Sequence, residues 1–114
     1  MEEAFFWTAL EYRVCREFSG FEDERLRHYW CDGFNPGDYE MHGEGPCIRG
    51  TAWCGPSGQE EWEYTLLLGR TAASRNEVEW SALLPDDRLT GWLTPDPARK
   101  TLRIDPLSGH DDQL

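Results

Sequence analysis

From Ile48 to Leu68 the chain alternates. Trp62, Tyr64, Leu66 and Leu68 fall on one side, and Glu61, Glu63, Thr65 and Leu67 on the other. A period of two with one apolar and one largely charged face is what a half-buried strand requires. Gly55-Pro56-Ser57-Gly58 supplies turn chemistry. Before that turn, Ile48, Ala52 and Cys54 share one face while Arg49, Thr51 and Trp53 share the other. The pattern predicts a β-hairpin over residues 47–69.

The flanking segments are less regular. In LRHYWCDGF, Leu26, His28, Trp30, Asp32 and Phe34 alternate with Arg27, Tyr29 and Cys31, and the aromatic content reads as a further strand. AFFWTALEYRVCREF fits two periods. Phe6, Leu10 and Val14 lie four apart, as on a helix, yet the ring-bearing and β-branched side chains favour an extended chain, and the reading leans to strand. RNEVEWSALLP reads as a short helix, with Asn76 as cap, Glu79 three residues on and Pro85 as stop. DDRLTGWLTP adds a turn capped by Asp86, with Leu89, Trp92 and Leu93 on one side and Pro95 at its end. RKTLRID is a last strand with Leu102 and Ile104 inward.

Together these elements predict an α+β fold. It is a curved, mainly antiparallel sheet of about four to five strands, with a partly open barrel as its variant and a short helical segment near 77–93. The connections suit antiparallel neighbours, and none shows the helix-length crossover of a parallel pair. Residues 1–105 form one domain, and 106–114 a polar tail.

Composition narrows the function classes. The 114 residues include 39% hydrophobic and 13% aromatic side chains, so rings supply much of the core volume. The net charge is −11 and is evenly spread: residues 1–57 hold eleven acids and five arginines, residues 58–114 eleven acids, five arginines and Lys100. With no cluster of cations, nucleic acid and anionic membranes are disfavoured as partners, and a basic protein is the natural one. Glu2 and Glu3 replace the cationic start of a secretory signal, and no apolar run is long enough to span a bilayer. A cytoplasmic protein with reduced thiols is expected.

Cysteines at 15, 31, 47 and 54 lack the two-to-four-residue spacing of a zinc knuckle. On one strand Cys47 and Cys54 would lie about 23 Å apart and on opposite faces. Cys31 and Cys54 can meet across neighbouring strands, with His42 swinging in from the loop, which is the alternative zinc set. Buried free thiols are the expected state, without a cofactor.

The stretch 35–46 reads as a loop with Tyr39, Glu40 and His42, and with Asp38 and Glu44 as further carboxylates, but it lacks the ligand periodicity of a calcium site. His28 and Asp32, about 13 Å apart on a strand, are too distant to couple directly, and no nucleophile or phosphate motif is present, so no catalytic residue is assigned. The six tryptophans are spread one per element, like core anchors. Trp53 is the exception. It falls on the polar face with Arg49, and Glu61 and Glu63, with Glu60 beside them, would rim it as they rim an interface anchor. These residues and the loop's Tyr39, Glu40 and His42 are the candidate binding set.

The sequence therefore suggests a small, acidic, non-enzymatic interaction module of inhibitor, immunity or adaptor type that binds a basic protein. The alternative is a small-molecule or catalytic cleft built on His28, Asp32 and the 35–46 loop. An uncovered sheet face or edge also suits a homodimer.

Overall fold

In the computed structural model, Glu2–Gly20 form a helix, α1, where the aromatic content favoured a strand. Burial shows why. Phe6, Trp7, Leu10, Arg13, Val14 and Phe18 are buried, one stripe at helical spacing, while Phe5, Thr8, Tyr12 and Arg16 face water. Periodicity over five turns outweighs the strand preference of single rings, which is weak and context-dependent. Glu2 and Glu3 also sit in the first turn, where the helix dipole favours negative charge. The structure describes residues 2–43, 45–69, 73–84 and 92–106, without the side chain of His42.

Six strands follow: β1 (Trp30–Asp32), β2 (Asp38–His42), β3 (Gly45–Gly55), β4 (Glu60–Leu67), β5 (Leu93–Asp96) and β6 (Thr101–Ile104). The sheet order is β1-β3-β4-β6-β5, and β2 joins the same edge of β3 as β1. The fold is α+β, a curled and mostly antiparallel half-barrel. The β3–β4 pair is the predicted hairpin, with Ala52 opposite Trp62 and Ile48 opposite Leu66.

Three expectations change. Residues 35–46 are not an irregular loop, since β2 pairs with β3 from Asp38 opposite Arg49 to His42 opposite Gly45. The segment near 77–93 holds two short 3-10 turns, Arg75–Glu77 and Trp80–Leu83, with Ser74 rather than Asn76 at the first cap position. The Asp86-capped turn falls mostly outside the described residues, but Leu93 and Pro95 belong to strand β5, whose place at the sheet edge tolerates a proline. Finally, β4 and β6 run parallel, Tyr64 beside Leu102. The crossover between them was not legible because the described part of it is 3-10 turns and a strand rather than a long helix. Of the polar tail expected over 106–114, Pro106 is buried and the rest lies outside the described residues.

Helix α1 covers the inner face of the sheet. Trp7 lies 5.7 Å from Tyr64 and Phe18 6.4 Å from Trp62, ring centre to ring centre. Its carboxylates also hold loops in place. Glu11 accepts from the Phe34 backbone N–H at 3.1 Å and Glu2 from the Ser81 N–H at 3.0 Å. Glu3 accepts from the Trp7 indole and from Arg75, whose other nitrogen reaches the Gly37 carbonyl. Partial burial pushes the Glu3 carboxyl up, but the Arg75 and Trp7 hydrogen bonds outweigh it and hold the group below the ordinary carboxylate value. Among the described residues no helix is long and apolar enough to cross a membrane.

Between β1 and β2 the chain crosses close over β3. Asn35 stands in for a strand residue: its N–H donates to Thr51 O, and its side-chain oxygen accepts from Thr51 N–H. Tyr64 closes the crossing from below, donating to Asn35 O and accepting from Gly37 N–H at 2.9 Å. Burial raises the Tyr64 hydroxyl to about 12, against the opposing pull of the Gly37 hydrogen bond. A phenol whose folded pKa is raised stabilises the fold below the unfolded value near 10 and loses that contribution as pH climbs toward the folded one. Absorbance at 295 nm should show Tyr64 ionising at about pH 12, with urea stability declining over the same alkaline window. Ionisation of all four tyrosines near pH 10 in folded protein would contradict the buried pairing.

Candidate functional site

The outer face of the sheet carries the chemistry the sequence singled out. Ala52 and Cys54 point inward, so Trp53 points outward, and the ladder sets it between Asp32 of β1 and Glu61 of β4. Trp53 is 49% exposed. Four residues back along β3, Arg49 bridges three strands, 3.1 Å from Glu63 of β4 and 3.7 Å from Glu40 of β2. Exposed pairs of this kind add little stability, but they fix where each charge sits.

The structure adds a residue that sequence reasoning missed. Trp30, counted above as a core anchor, is also 49% exposed and shares the outer face, because Cys31 between it and Asp32 is buried. Trp7, Trp62, Trp80 and Trp92 are the buried tryptophans. A Cβ at Gly58 would come within 2.1 Å of the Trp30 indole nitrogen, and one at Gly33 within 3.1 Å of Trp53. Each exposed ring thus lies against a residue with no side chain.

Other members of the predicted set disperse. Tyr39 pairs with Ile48 and packs against the core, on the opposite side from Arg49 and Trp53. Glu60 turns inward to accept from the Trp62 indole at 3.1 Å. His28 is exposed in the turn after Glu24–Leu26 and is not on a strand with Asp32. His42 is placed at the far end of β2, opposite Gly45. His28, Asp32, Tyr39 and Glu40 are not gathered around one cleft. An open depression of about 480 Å³ lies elsewhere, over Thr65 and Leu67 of β4, Thr94 and Asp96 of β5, and Thr101 and Arg103 of β6.

The sulfur expectation also needs correction. Cys31 and Cys54 are directly opposed, Cα atoms 4.1 Å apart, and form a disulfide; the free thiols are Cys15 and Cys47. Strand separation along β3 keeps Cys47 from Cys54 as expected, but it does not keep Cys54 from Cys31 on the neighbouring strand. The metal set of Cys31, Cys54 and His42 is overturned, because two bonded sulfurs offer no thiolate ligand. Among the described residues no group of three or more His, Cys, Asp or Glu side chains could hold an ion. Burial raises the Cys15 thiol, with only partial relief from its hydrogen bond to the Cys31 carbonyl, and burial likewise raises Cys47. Neither is poised as a nucleophile.

The site is thus a pair of exposed indoles bordered by Asp32 and Glu61, with an Arg49–Glu63–Glu40 cluster beside it. Apolar surface rimmed by charge is suited to gripping a partner of opposite charge. No protein-family model matches the chain, and no curated protein or solved structure is similar to it.

Proposed function

We propose that this protein is an acidic, non-enzymatic interaction module that binds a basic protein through the outer face of β1, β3 and β4. The observation that carries the reading is Trp30 and Trp53, half-exposed on one face with Asp32 and Glu61 next to them. A tryptophan gives up much favourable burial when it faces water, and a partner's surface is where such a ring recovers it. The net charge of −11 directs the choice of partner. Long-range attraction speeds encounter with a basic surface, and the carboxylates fix its register.

The cytoplasmic placement expected from the acidic start and short apolar runs carried reduced thiols with it, and the Cys31–Cys54 bond departs from that expectation.

Titration of the full chain with paired peptides, one lysine- and arginine-rich and one of the same length rich in glutamate, tests the reading by tryptophan fluorescence. The basic peptide is expected to bind, with affinity falling as salt rises past about 0.1 M, where the Debye length has shrunk to about 10 Å. Equal binding of both peptides, or of neither at low salt, would defeat it.

A further inference from the structure

We infer that the corner formed by Trp30, Asp32 and Trp53 receives an arginine side chain of the partner, its guanidinium lying between the two indoles and paired with the Asp32 carboxylate. This rests on the basic-partner reading and names its central contact.

The register supplies the geometry. Trp30 lies opposite Gly55, and Asp32 opposite Trp53, with the inward pair Cys31 and Cys54 between them. The four outward positions form a quadrilateral with the two tryptophans on one diagonal and Asp32 and Gly55 on the other. Diagonal neighbours across an antiparallel pair are on the order of 7–8 Å apart. A cation is attracted to an aromatic face within about 6 Å of its centre, so a group seated over this quadrilateral is drawn to the indoles that border it. Gly55, at the fourth corner, is buried, and the space beside it is filled by the Glu60 side chain.

The corner also holds its shape. Trp30 lies against Gly58 and Trp53 against Gly33, and the disulfide beneath ties β1 to β3. Arg49, on the same face, is engaged by Glu63 and Glu40. Asp32 is exposed, and Glu61 lies on the far side of Trp53, so negative charge flanks the second ring. Arginine fits better than lysine. Its planar, weakly hydrated guanidinium stacks on rings and forks a carboxylate, whereas an ammonium keeps its water.

The test uses the full chain and capped octapeptides carrying four arginines, four lysines or four citrullines in a Gly-Ser background, read by calorimetry and indole fluorescence. The arginine peptide is expected to bind more tightly than the lysine peptide, and citrulline to abolish binding. Trp30→Leu and Trp53→Leu should each weaken the arginine peptide by about two- to fivefold, the value of one cation–π contact at an exposed site. Asp32→Asn should act similarly, by up to about fivefold. Glu24→Gln, which removes the same charge from the exposed turn before β1, should leave affinity within about twofold. Matching thermal midpoints would show that the variants are folded. If the tryptophan substitutions leave affinity unchanged, or Asp32→Asn acts no more strongly than Glu24→Gln, the corner is refuted and the basic-partner reading survives. Equal affinity for lysine and arginine peptides overturns the guanidinium assignment. Failure of both basic peptides to bind the unsubstituted chain overturns the module itself.

Discussion

Gly37→Ala should cost at least about 3 kcal/mol and leave little folded protein at moderate urea. A Cβ at that position would fall 2.0 Å from the Arg49 carbonyl oxygen, 2.4 Å from its carbon and 2.7 Å from Gly50 Cα. All three are backbone atoms of β3, the strand that pairs with β1, β2 and β4, so no side-chain rotation relieves the overlap. To make room, the crossing must lift off β3. It would then give up the Gly37 N–H to Tyr64, the Asn35–Thr51 pairing and the Arg75 contact to the Gly37 carbonyl. A domain of this size has a total stability on the order of 5–15 kcal/mol, so the loss is a large share of it. Gly43→Ala is the matched control, because a Cβ there meets nothing within 4 Å. Urea midpoints of the two variants decide the matter. A Gly37→Ala midpoint equal to that of Gly43→Ala would mean that the chain does not cross β3 at this distance.

The second large effect concerns the Cys31–Cys54 bond. It closes a loop with a sequence separation of 23 that contains β1, the crossing, β2 and most of β3. Releasing a loop of that length into the unfolded ensemble costs about 3 kcal/mol on the chain-entropy model. The paired substitution Cys31→Ser with Cys54→Ser should lower stability by about that amount, as should reduction of the unsubstituted protein. Thiol counting checks the premise directly. Protein unfolded in guanidinium without reductant should show two thiols, Cys15 and Cys47, and all four after reduction. Four thiols at the outset in protein prepared under air would show that the bond does not form.

The β3–β4 hairpin was legible because its two faces differ so sharply. The alternation of Trp62, Tyr64, Leu66 and Leu68 with charged neighbours leaves one register in which a core can form. Helix α1 was misread for lack of range. Phe6, Leu10 and Val14 also fit a strand, and only when Trp7 and Phe18 are added does the stripe become helical. The crossing could not be read at all. Its hydrogen bonds come from a side-chain amide acting as a strand residue and from a tyrosine hydroxyl, and neither has a period. The same holds for part of the acidity. Glu2, Glu3 and Glu11 appear as solvated charge in the sequence, yet each accepts a hydrogen bond from a distant segment. At the candidate site, alternation placed Trp53 outward. The same rule applied to Cys31 would have placed Trp30 beside it, had residues 26–34 not been taken as one strand of mixed faces. The disulfide depended on which strand neighbours β3, and that is fixed by topology rather than by spacing along the chain.

The parallel pairing of β4 with β6 bears on how this chain reaches its native state. From α1 through β4, the antiparallel strand pairs join segments that are near in sequence. The β5–β6 ribbon pairs internally but must find β4 across the long intervening stretch. Loop closure on that scale comes before any reward from contact, which slows the step. Until it is complete, one side of β4 offers unpaired backbone groups to solvent, and to any other nascent chain that can supply a strand.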